Sequence, residues 1–166
     1  MPSSVQSPAT APAQRVADSA WLTVLIAGLI AGALDLTFAF VFYHSQGVTP
    51  DRILRGIAAG VLGLGARDMG PWVSFLGAAL HFFISVCAAF VYYLVSRRVP
   101  LLTRRPLLCG ALFGVAMFAV MRFIVIPLSR LPFHVPSLHN TIGELCSHIF
   151  LFGMVIALGV ARVRRH

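Results

Sequence analysis

The stretch Pro106–Pro127, PLLCGALFGVAMFAVMRFIVIP, decides the fold. It is apolar for long enough to cross a bilayer as a helix, which takes about 20 residues. Its one charged residue is Arg122. A charge inside a membrane helix costs between ~3 and ~17 kcal/mol, so Arg122 should face protein or water and have a partner. Other apolar runs supply polar groups for such a site: Asp35, His81, Glu144 and His148.

Composition agrees with a membrane chain. Of 166 residues, 58% are hydrophobic and 11% are charged, against about 25% charged in soluble domains. The mean hydropathy is +0.88. The formal net charge is +8, and every basic residue is arginine. These arginines sit at the ends of apolar runs. That pattern points to anionic lipid headgroups and away from nucleic acid as a partner. Cys87, Cys109 and Cys146 fall inside apolar runs with no CxxC pair, which implies free thiols.

Read outward from that stretch, the chain predicts an all-α polytopic membrane protein: a four-transmembrane-helix bundle. Residues 1–19, rich in Pro, Ser, Ala and Gln, read as a disordered tail. The spans are expected near residues 21–43, 72–96, 106–127 and 141–161, with a basic tail over 163–166. The first span carries Gly28-x-x-x-Gly32, a close-packing motif in membrane helices. Asp35 follows Gly28 by two turns and should point into the bundle. Between the first two spans, Thr49-Pro50-Asp51 starts a short helix over about 50–65. That helix is too short to cross and is expected to lie at the interface or re-enter, with Arg52 and Arg55 snorkelling. In the second span, His81 shares a helix face with Ser74, Gly77, Ala78, Ser85 and Ala88. The third span carries a second small-residue motif, Gly110-x-x-x-Gly114. The two motifs can serve contacts within one bundle, between two copies or with a membrane partner.

Orientation follows from the arginines. Arg15, Arg97, Arg98, Arg104, Arg105, Arg162, Arg164 and Arg165 share one side; Arg52, Arg55, Arg67 and Arg130 share the other. The positive-inside rule makes the first side cytoplasmic, with both termini there. At 1.5 Å per residue, Asp35, His81, Arg122, Glu144 and His148 then lie roughly 5–13 Å below the outer surface. All four spans contribute a polar group to one layer.

Each of these residues has a structural and a functional reading. Arg122 can pair with Asp35 or Glu144, or bind an anion. Asp35 can carry a proton or sit in an ion pair. Glu144 can close a capping box with Thr141. His148, four residues after Glu144, can hydrogen-bond it or share a metal with it. His81 can be a bonded packing residue, or ligate metal or haem opposite His148. His44, His134 and His139 fall on the outer side, as a pH-sensing surface or simply solvated.

The second to fourth spans resemble the YagU-like family of bacterial inner-membrane proteins. The resemblance is carried by His81-x-x-x-Ser85, Tyr92 and Tyr93, the proline-bearing end of the third span, the Pro-rich loop after it, and Asn140-x-x-x-Glu144-x-x-x-His148. It covers residues 80–161 and implies an inner-membrane location, a helix count and a shared Glu/His feature, with no substrate. Two main readings of function stand at this stage. One is a binding or relay site for protons, a metal ion or a small anion, built from Asp35, His81, Arg122, Glu144 and His148. The other is a structural or accessory membrane subunit in which the same residues lock the helices. A bis-His haem protein is a third. No cofactor is expected, and no Ser-His-Asp order, zincin helix or phosphate loop supports an enzyme.

Overall fold

The computed structural model describes residues 11–132 and 135–163, with side chains over 20–132 and 135–163. Among these residues there is helix and no strand. Four helices are long and apolar enough to cross a membrane: Ala20–His44, Trp72–Ser96, Pro106–Leu128 and Leu138–Val163. They are the first to fourth spans below. The first helix begins at Ala11, inside the stretch expected to be a disordered tail. The rest of that tail, residues 1–10, lies outside the described residues, as do His134 and the basic end at 164–166.

The first span is the hub, packed along the second on one side and the fourth on the other; the third lies chiefly along the fourth. Small residues set these approaches. A Cβ at Gly28 would stand 2.9 Å from the Val86 Cα, so the first glycine motif serves the second span. A Cβ at Gly110 would stand 2.7 Å from the Met154 Cα, and one at Gly114 would run into the His148 carbonyl. Both motifs therefore work inside one chain. Val24, Ala31, Ala89, Tyr92, Ile156 and Val160 fill the core between the spans. Cys87 and Cys146 are free thiols that face outward, away from that core.

Two spans contain a wider π-helical turn. In the third, Met121–Val125 is π-helical, and the Ile126 N–H reaches back to the Met121 carbonyl. Pro127 explains its place, because proline has no N–H and its ring crowds the carbonyl four residues earlier. In the fourth, His148–Gly153 is π-helical, and the Met154 N–H bonds the Ile149 carbonyl. That turn lies against Gly110 and Gly114.

The short helix runs Pro50–Leu62, followed by a 3-10 turn at Leu64–Asp68. The Thr49 side chain caps it by accepting from the Arg52 N–H, and Pro50 opens it. It packs on the start of the second span, where the Leu54 carbonyl sits against Gly77. Arg55, expected to snorkel, is instead held in place. It pairs with Asp51 at 2.7 Å and donates to the Met69 carbonyl at 2.5 Å. Ser74 Oγ donates to the other Asp51 oxygen at 2.5 Å. A guanidinium satisfied by a fixed fork of acceptors gains more than one left in water.

Two outcomes follow. Gly114→Ala should force the third span off the fourth and lower stability by about 1–3 kcal/mol, the usual cost of overpacking. Gly56→Ala, in open space on the short helix, should be neutral or slightly stabilising. Thermal unfolding of the two variants in one detergent checks both. The Ser74 hydroxyl, then Arg55, hold the Asp51 carboxyl below the usual aspartate range. Its anchoring contribution is therefore present above the ordinary value near ~3.9 and is lost as pH falls below it. Amides of residues 50–62 should exchange faster in Asp51→Asn than in the native chain at neutral pH, and equally in both once the solution is strongly acidic.

Candidate functional site

Where the first span ends and the short helix begins, the bundle opens into a cavity of about 250 Å³. All four spans and the short helix contribute to its wall. Asp35, His81, Glu144 and His148, from three different spans, line it together. The remaining wall is mainly apolar, with Phe38, Ile53, Ile57, Met117, Met121 and Phe152. Four of the five residues expected in the polar layer thus meet at one space. The fifth, Arg122, is half-buried on the π turn of the third span and is not among the residues lining the cavity.

The carboxylates have hydroxyl partners. Ser147 Oγ donates to Asp35 Oδ1 at 2.5 Å, and Tyr43 Oη donates to Glu144 Oε1. Both bonds cross from the fourth span to the first. The capping box expected for Glu144 does not form. The fourth span starts one turn earlier, at Leu138, because Ser137 is the cap and accepts from the Asn140 N–H at 3.2 Å. Thr141 is then inside the helix and donates to the Ser137 carbonyl at 3.0 Å. This frees Glu144 to reach Tyr43.

His148 lies beside Asp35. Its Nδ1–H donates to the Glu144 backbone carbonyl at 2.9 Å, and the same nitrogen is 3.8 Å from Asp35 Oδ1. The bond within the helix fixes the tautomer and leaves Nε2 with the lone pair. The His148 and Asp35 side chains are only 19% and 14% exposed. The rings of Phe118 and Phe152 flank the imidazole.

His81 plays a different part. Its Nε2–H donates to the Gly32 carbonyl at 2.9 Å, and one turn on Ser85 Oγ donates to the Gly28 carbonyl at 2.6 Å. A helical carbonyl has a second lone pair for such a bond. The glycines expose that carbonyl because no side chain shields it.

Among the described residues, no group of three His, Cys, Asp or Glu side chains is arranged to hold a metal ion. Of the histidines expected on the outer side, His44 is exposed and His139 stacks on Phe42 with centroids 4.9 Å apart. Two site residues escaped the sequence reading. Tyr43 closes the first span and Ser147 lies within the fourth, and neither belongs to a motif. The available signal was spacing: Ser147 lies three residues after Glu144 and next to His148.

A bundle of four helices long and apolar enough to cross a membrane is that of an integral membrane protein. The chain belongs to the family of conserved membrane proteins described as YqhR, whose model matches residues 9–163. The YagU-like resemblance is not confirmed by that match. No curated protein and no solved structure matches the chain.

Tyr43→Phe should leave the Glu144 carboxylate without its hydroxyl partner and cost about 1–3 kcal/mol. Tyr93→Phe is the control, since that ring packs on Trp21 and its hydroxyl makes no hydrogen bond among the described residues. Unfolding temperatures of the two variants should differ accordingly.

Proposed function

We propose that this chain is a non-enzymatic membrane protein that takes up and releases a proton at the Asp35–His148 pair inside its cavity. The single observation that supports this is the placing of an imidazole 3.8 Å from a carboxylate on the wall of a mainly apolar space. A small anion is a poor occupant, because the wall carries two carboxylates and the cationic candidates among its described residues are histidines. A metal ion is also poorly served, because Ser147 and Tyr43 already bond the two acids. Protonation at His148 needs neither a further ligand nor a rearrangement of these bonds. The arginine bias supports an orientation with both termini in the cytoplasm of a bacterial inner membrane, so that the cavity opens toward the outer face.

One observation favours a structural reading instead. Asp35, Glu144, His81 and Ser85 each bond a residue of another span, which is what helix locking requires. A proton-uptake measurement separates the two. The native chain and an Asp35→Asn/His148→Gln variant would be taken from pH 8 to pH 5 in lightly buffered detergent solution. The proposal expects the variant to take up about one proton fewer per chain. Equal uptake by two equally folded proteins would sink it and leave the locking role.

A further inference from the structure

A second cavity, of about 550 Å³, opens at the same end of the bundle as the first and is lined by Asp51, Arg52, Arg55, Arg67 and Met69. Three guanidiniums face one carboxylate there. That carboxylate is already used, by Ser74 and by Arg55. Arg55 is in turn fixed by the Met69 and Arg67 carbonyls. Arg52 and Arg67 are different. Both are exposed, and neither side chain makes a hydrogen bond or ion pair among the described residues. Asp68 is exposed beside them but does not line the cavity. The site therefore has a fixed Arg55–Asp51 ion pair and two further arginines whose donors are uncommitted, which leave it net cationic.

The surroundings indicate what those donors meet. Met69 lines the cavity and is 42% exposed, and Trp72, at the start of the second span, is 53% exposed. An exposed tryptophan at a span end sits at headgroup level. The cavity thus lies where a phosphate can be reached from the bilayer, with apolar surface beside it for acyl chain. Guanidinium suits a phosphate because its fork can bond two oxygens at once.

We infer that Arg52, Arg55 and Arg67 form a binding site for the phosphate of an anionic phospholipid, held at the face of the membrane where the short helix lies. The site is separate from the proton pair and does not depend on it.

The test uses the full chain in mild detergent and native mass spectrometry with added phosphatidylglycerol, phosphatidylcholine or inorganic phosphate. Phosphatidylglycerol should be retained in preference to phosphatidylcholine. Arg52→Gln/Arg67→Gln should weaken that retention by roughly tenfold. Retention by the native chain should also fall as salt is raised, a reading that needs no variant. Unchanged retention in Arg52→Gln/Arg67→Gln overturns the site. Inorganic phosphate that displaces the lipid at equal concentration overturns the lipid as its ligand.

Discussion

A polar group inside a bilayer has no water to fall back on, and each unpaired one costs several kcal/mol. That constraint explains more of this structure than any packing preference. Asp35, Glu144, His81 and Ser85 must each find a partner across a helix boundary, and in every case one member of the bond belongs to the first span. The first span is the hub because it holds an acid that needs a donor, a tyrosine that supplies one, and two glycine carbonyls that accept. The fourth span answers the first two needs and the second span the third.

Close approach makes those bonds attainable. Small residues at Gly28 and Gly32 bring the second span near enough for His81 and Ser85 to reach backbone oxygen. On the far side, Gly110 and Gly114 let the third span lie against the π turn at His148–Gly153. Such turns replace the regular helical ladder locally and recur at functional sites. Here the turn begins at the very histidine that faces Asp35. The short helix completes the arrangement. Its Ile53 and Ile57 wall the cavity, while Asp51 fastens it to Ser74 of the second span and Arg55 to the Arg67 and Met69 carbonyls ahead of that span.

Much of this was legible from residue order. Hydropathy gives the spans because bilayer thickness demands an unbroken apolar run. Helical spacing puts Ser85 on the face of His81 and sends Asp35 inward. The Thr49-Pro50-Asp51 start of the short helix reads directly from capping chemistry. The hidden parts share one cause: they depend on which helix lies beside which. Tyr43 and Glu144 are far apart in sequence, so nothing local marks the tyrosine as a donor. Arg122 draws the eye because its charge is costly, yet it is not on the cavity wall. At the start of the fourth span, Ser137 and Thr141 compete for the same capping role. The serine prevails, and the change of one turn decides what Glu144 can touch.

The two bonds between the first and fourth spans also bear on how the chain is made. Asp35 and its donor Ser147 are 112 positions apart, and Tyr43 and Glu144 are 101 apart. A ribosome adding about 5–20 residues per second delivers the later partners seconds after the first helix has emerged. During that interval the first helix carries a carboxylate that the insertion machinery handles at a cost of about 2.5–3.5 kcal/mol. Its long apolar flank must carry the acid into the membrane ahead of its donor. Final docking therefore waits for the last helix to arrive, and a chain stalled after the third would leave its central acid without the serine.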